Sequence, residues 1–240
     1  MKKHNTYLIY PLVIMGFFLF FTNGCSKSSK KIDGPQTSGS TVLDKDGNVY
    51  HMDTIGHQIW LVENLKTTRY NDNSIIKWVP DPTEWSTLGI QAAGCWFNND
   101  IGNRDTYGAL YDWYAVSSGK LCPVGWHVPT DAEWQTMIDY VGSQTVAGGF
   151  LKETLTTHWA TPNTGATNHF GFTALPGGVR YTTGTFYFQK NAGYWWSSTE
   201  SSSTSAWHRV MYYNLVTVDR ITNSKDLALS VRCIKDNLLP

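Results

Sequence analysis

Few residues in this chain stand at spacings that could do chemistry. The seven histidines are scattered, and none forms the His-Glu-x-x-His pair that would hold zinc from one helix face. His127, between Trp126 and Val128, is expected to be a hydrogen-bonded structural ring rather than a general base. No Gly-x-Ser-x-Gly nucleophile turn, phosphate loop or dinucleotide fingerprint occurs in a strand-to-helix context. Asp44-x-Asp46-Gly47-Asn48 offers a fragment of an oxygen ligand set, but it sits between two short β-prone runs and reads as a hairpin turn. Calcium could use such a fragment, yet it needs about six to eight oxygens and no acidic loop here has that spacing. No catalytic residue, metal or other cofactor is therefore expected. Arg180 and Arg232 each follow a strand-like motif, where a guanidinium would anchor carbonyl or carboxylate oxygens.

The elements that must position these groups read as follows. Thr130-Asp131-Ala132-Glu133 is a capping box, and Trp134, Met137, Ile138 and Val141 recur behind it at helical spacing. The spacing predicts a helix over 130–141, with a shorter one near 147–153. Short strands are expected at 42–43, 49–52 and 57–62, and a loop from Asn71 to Gly94, punctuated by Pro80 and Pro82. From Phe172 onward strands are expected at 172–175, 178–181, 185–189, 193–198, 206–213, 216–221 and 228–234. The result is one α+β domain, helices early and sheet late.

Composition narrows the class. The 240 residues carry 19 Lys+Arg against 19 Asp+Glu, so the basic surplus that nucleic-acid binding requires is missing. Charged residues are only 16% while aromatics reach 14%, a balance that excludes disorder as the dominant state. Lys2 and Lys3 precede an apolar run from Tyr7 to Phe21, then Thr22-Asn23-Gly24-Cys25. This is the pattern of a secretory signal, and the run is shorter than the roughly 20 residues that span a bilayer. Cys25 directly after Gly24 resembles the lipobox of bacterial lipoproteins, whose cysteine thiol takes a diacylglycerol and becomes the new N-terminus. The resemblance implies a signal peptide over 1–24, lipid on Cys25 and a location in the cell envelope, on the outer membrane. A Ser-, Gly- and Lys-rich tether over 25–40 would then hold a domain over 41–240 just off the membrane surface. Export would leave Cys95, Cys122 and Cys233 in an oxidising compartment, as one pair and one free thiol.

Six stretches carry a second resemblance. They are Ile55-Gly56-His57-Gln58-Ile59-Trp60-Leu61-Val62-Glu63-Asn64-Leu65, Tyr107-Gly108-Ala109-Leu110-Tyr111-Asp112-Trp113-Tyr114-Ala115 and Cys122-Pro123-Val124-Gly125-Trp126-His127-Val128-Pro129-Thr130. Pro176-Gly177-Gly178-Val179-Arg180, Trp196-Ser197-Ser198-Thr199-Glu200 and Ser230-Val231-Arg232-Cys233 complete them. In this order they resemble the Fibrobacter succinogenes major paralogous domain, a family of exported bacterial proteins, often lipoproteins. The family is similar to the C-type lectin-like fold and to the formylglycine-generating enzyme domain. The resemblance implies a C-type lectin-like architecture and favours a Cys122–Cys233 disulfide. It supplies no activity. Formylglycine generation uses two cysteines near the C-terminus, and only Cys233 lies there. Calcium-dependent sugar chelation uses a loop that Thr161-Pro162-Asn163 matches poorly, and Trp96-Phe97-Asn98-Asn99-Asp100 comes too early for its partner.

Aromatic side chains are the remaining signal, with 11 Trp and 13 Tyr. Trp60, Trp113, Trp126, Trp134 and Trp196 sit in the family motifs and read as core. Strand alternation should turn Trp195 to the face opposite Trp196. Together with Trp207, His208, Tyr212, Tyr213 and Asn214, beside the polar loop Glu200–Ser205, it forms a candidate ligand face, the alternative being a second sheet face packed against the early loops. Rigid amphipathic rings of this kind suit sugars or protein surfaces. The function expected is a membrane-tethered, non-enzymatic binding or adhesion module for glycan or protein. The alternatives are an enzyme acting on envelope or polysaccharide material, or a purely structural lipoprotein.

Overall fold

A computed structural model describes residues 40–236. The expected leader, Cys25 and the expected tether up to residue 39 lie outside the described residues. The first hairpin joins β1 (Thr41–Leu43) to β2 (Val49–Ile55). Asp44 builds its turn: Oδ1 accepts the backbone N–H groups of Asp46 and Asn48, both at 2.9 Å. Oδ2 accepts the Tyr50 hydroxyl at 2.7 Å and the Asn48 amide at 2.8 Å. Gly47 takes a φ of +79°, which a side chain would disfavour. The acidic fragment is thus a hairpin turn whose oxygens are already occupied.

β3 (Gln58–Leu61) continues the meander. The expected loop then proves to contain β4 (Lys77–Trp78), α1 (Pro82–Ser86) and β5 (Ala93–Cys95). Asp81 caps α1 by accepting the Glu84 N–H at 2.7 Å, and Pro82 fits the first turn because no N–H is needed there. Next come α2 (Arg104–Tyr107), β6 (Leu110–Tyr111) and α3 (Trp113–Ser117), the last capped by Asp112. β7 (Trp126–His127) leads into α4 (Asp131–Val141), where both halves of the Thr130–Glu133 capping box form. α4 buries Trp134, Met137, Ile138 and Val141, and α5 (Ala147–Leu151) is the second expected helix. The late strands are β8 (Val179–Arg180), β9 (Phe186–Tyr187), β10 (Ala192–Glu200), β11 (Ser205–Tyr212), β12 (Asp219–Ser224) and β13 (Ile234–Lys235).

The domain is α+β, but its sheets are not confined to the late half. The largest runs β1-β2-β3-β13-β7, so the last strand inserts between two early ones, Ile234 pairing with both Trp60 and His127. A Cys122–Cys233 disulfide fastens this junction across 111 residues of sequence, leaving Cys95 free and buried. Closing a loop of that length stabilises by ~4–5 kcal/mol on the chain-entropy account. The strand expected over 228–234 shrinks to its last residue because the segment serves several partners in turn. Ala228 bridges Arg180, Leu229 bridges Tyr111 and Ser230 bridges Trp195. No strand forms over 172–175, where only Ala174 makes an isolated bridge, to Lys152.

The sheet β10-β11-β12 lies between two hydrophobic clusters. Trp196 and Val210 face one, while Trp195 and Met211 join Trp60, Trp134 and Phe172 in the other. Much of the remaining chain is irregular, and its buried carbonyls need donors. Three sealed cations supply them. Arg180 donates to Val79, Pro80 and Gly184 carbonyls at 2.5, 3.1 and 3.0 Å, stacked against Trp85 and Phe186. Lys152 donates to Thr164, Tyr212 and Leu215 carbonyls at 3.1, 3.0 and 2.8 Å. Arg232 holds Leu61, Val62, Phe172 and Asn64. Both arginines are carbonyl anchors, as their positions suggested.

Candidate functional site

The expected late-strand ligand face does not assemble. Trp195 does turn away from Trp196, but that face is the second hydrophobic cluster, and its indole donates to Asn64 Oδ1 at 2.8 Å. His208 is equally sealed, because β11 is the middle strand of its sheet and both its faces are covered. Its Nε2 meets the Asn223 amide at 2.9 Å, and burial pushes its pKa down to about 4. Neither residue can face a ligand. Trp207 is half-buried, and the Arg220 guanidinium lies 3.2 Å over its ring. Arg220 is in turn fixed by Asp131, which also binds Arg209. Tyr212 and Tyr213 are half-buried and Asn214 exposed, at the other end of β11. Five strand residues place them about 17 Å from Trp207, too far to share one small ligand.

A different pair of tryptophans lines an open groove. β4 runs parallel to β5, with Trp78 opposite Gly94, and β5 pairs with β6. A Cβ on Gly94 would lie 2.8 Å from Cζ3 of Trp78, so the missing side chain is what lets the indole lie across the strand. Trp96 follows β5 directly, and the two ring centroids are 4.5 Å apart at an interplanar angle of 51°. They line a groove of about 530 Å³, with Trp78 half-buried and Trp96, part of the first hydrophobic cluster, only 7% exposed beneath it. Ile75 and Ile101 rim it, 72% and 65% exposed, apolar side chains that the core leaves in water. Asn48, Lys66, Thr68 and Arg104 add polar groups.

The indole N–H groups fall into two sets. Those of Trp60, Trp85, Trp113, Trp134, Trp159, Trp195 and Trp196 all donate to protein oxygens. Trp78, Trp96, Trp126 and Trp207 have no such acceptor among the described residues; Trp78 and Trp207 are half-buried, while Trp96 and Trp126 are 7% and 6% exposed. Two of these four lie side by side in the groove.

The groove carries no acid–base pair. Its one lining carboxylate, Asp46, accepts the Thr68 N–H at 2.5 Å and the hydroxyls of Thr67 and Thr68, and faces Arg69. It clasps the first hairpin to the next loop. The most perturbed carboxyl elsewhere is Asp112, pushed up to about 8 by burial, in a small pocket of about 110 Å³. It too is engaged structurally, accepting the Ala93 and Ala115 N–H groups at 2.9 and 2.8 Å. Among the described residues no three His, Cys, Asp or Glu side chains converge to hold a metal, and no helix is long and apolar enough to cross a membrane.

His127 sits between two carboxylates, Nε2 at 2.9 Å from Glu133 and Nδ1 at 2.6 Å from Asp236. The Glu133 hydrogen bond, followed by that of Asp236, raises its pKa against the opposing effect of burial. Unfolding returns the ring to about 6.5. Its contribution to stability is full below that pH and is lost as pH rises through the folded-state value. Urea midpoints across a pH series should therefore fall on the alkaline side of pH ~6.5, and this component should vanish in His127→Gln.

These features define an α+β domain with an open aromatic groove and with its strongest ionisable groups tied into the fold. The description of the Fibrobacter succinogenes major domain family matches residues 54–235, most of the chain, and the protein belongs to that family. No curated protein and no solved structure matches it. The groove was missed in the sequence because its floor begins inside a stretch read as loop. Asp81-Pro82, a capping residue before a first-turn proline, was the local signal that this stretch is ordered.

Proposed function

We propose that this chain is a lipid-anchored, non-enzymatic binding module of the bacterial cell envelope that holds a glycan on Trp78, which Trp96 backs from below. The observation that carries this reading is the indole pair, 4.5 Å between centroids, on the floor of an open groove. A sugar ring has an apolar C–H face that packs on indole and a rim of hydroxyls that need partners. The Trp78 indole, with the Lys66 and Arg104 side chains on the groove lining, answers both needs. Lipid attachment at Cys25 and residence on the outer membrane are supported by the leader and the small residue before the cysteine. A C-type lectin-like scaffold is supported by the order of the family motifs and by a disulfide that ties Cys122 to the last strand.

Glycan-array binding of wild type and Trp78→Ala tests this. Loss of a central aromatic should weaken binding by ~10-fold or more while the fold survives, since Trp78 is only half-buried. Unchanged binding by Trp78→Ala, or loss on Trp207→Ala instead, would contradict it.

A further inference from the structure

Two cations of the groove converge on one oxygen. Lys66 Nζ lies 3.3 Å and Arg104 Nε 3.1 Å from the same Oδ1 of Asp105. The Asp105 side chain is 73% exposed, and its Oδ2 has no protein donor among the described residues. Lys66 and Arg104 line the groove beside the two tryptophans. The Lys66 side chain is only 15% exposed, so packing along its stem fixes where the ammonium points. The other charge on the lining, Asp46, is already engaged by Thr67, Thr68 and Arg69. The aromatic floor therefore has a positively charged flank, and Asp105, which does not itself line the groove, marks where an anionic oxygen rests between its two cations.

We propose that the ligand is an acidic glycan. One of its anionic oxygens replaces Asp105 Oδ1 between Lys66 and Arg104 while a sugar ring packs on Trp78. This rests on the glycan reading above and names the chemical class of its ligand. Exposed ion pairs contribute little, so Asp105 gives way to a ligand oxygen and turns into solvent at small cost. Asp105 is then a built-in competitor. Removing its charge should strengthen acidic binding, which a merely structural role would not do.

The test uses the mature protein, beginning at Cys25, in detergent with four probes. Oligogalacturonate carries carboxylates, its methyl ester has the same backbone without charge, chondroitin sulfate adds sulfate, and polyglutamate supplies carboxylates without sugar. Oligogalacturonate is expected to bind ~10-fold tighter than its ester, with the advantage shrinking as salt rises. Asp105→Asn should tighten oligogalacturonate binding about threefold and leave the ester unchanged. Arg104→Gln should bring acidic binding down towards the ester level. Chondroitin sulfate binding above oligogalacturonate would assign the anion as sulfate, and the reverse order as carboxylate. Equal binding of acid and ester, or no gain from Asp105→Asn, would overturn the acidic-ligand inference and leave the groove reading standing. Polyglutamate binding as tight as oligogalacturonate would overturn it in favour of an acidic peptide. Failure of every sugar probe to bind would count against both.

Discussion

Arg232→Met should lower unfolding free energy by ~4 kcal/mol or more, a large share of the ~5–15 kcal/mol that holds a domain together. Arg232 is sealed from solvent and stacks on Phe172 at 4.3 Å. Its guanidinium donates to the Leu61 and Phe172 carbonyls at 3.0 and 2.6 Å, to the Val62 carbonyl, and to Asn64 Oδ1 at 2.8 and 3.2 Å. Methionine fills much of the same volume but donates nothing. Each buried acceptor left without a partner costs ~1–3 kcal/mol. Asn64 suffers least, since Oδ1 keeps the Trp195 indole at 2.8 Å. Arg232→Lys should recover part of the loss, because an ammonium brings three donors without the planar fork. Urea unfolding of the three proteins decides the matter, and a methionine variant within ~1 kcal/mol of wild type would refute the carbonyl-anchor account.

Gly94→Ala should damage the groove as well as the fold. The added Cβ would meet Trp78 at 2.8 and 3.2 Å and the Tyr111 ring at 3.3 Å. Tyr111 is fully buried and hydrogen-bonded through its hydroxyl to Thr67, so it has little room to move. Trp78, half-exposed, is the side chain that yields. Overpacking of this kind costs ~1–3 kcal/mol. Displacing the indole from Trp96 should also weaken glycan binding by ~10-fold or more. Calorimetric melting and glycan titration on the same variant separate the two effects. Lower stability with unchanged affinity would mean that the ligand does not touch Trp78.

How far the sequence revealed this arrangement depends on how local each signal was. Thr130 to Glu133 closes a capping box within one turn, and the apolar spacing behind it lies on one helix, so α4 was legible. Asp44 to Asn48 closes its own hairpin and was equally plain. Trp195 shows the limit. Alternation gave its direction correctly, but what covers that direction is Trp60, Trp134 and Phe172, which arrive from distant segments. His208 was misread for the same reason, since nothing in Trp207-His208-Arg209 says that the strand is central. The groove was the least legible part. Asn48, Lys66, Ile75, Trp78, Trp96 and Arg104 come from separate stretches, joined by β4–β5 pairing and a first hairpin clasped to the loop at Thr68. The last segment misled because periodicity cannot reveal that 228–234 is shared among several strands.

The claim that Trp78, backed by Trp96, receives a sugar chain can be read directly from indole ¹H–¹⁵N resonances. Oligogalacturonate added to labelled full-length protein should shift the Trp78 and Trp96 signals in a saturable way. Those of Trp60, Trp134, Trp195 and Trp196, already donating within the core, should stay still. Saturable shifts at Trp207 with Trp78 and Trp96 unmoved would contradict the account.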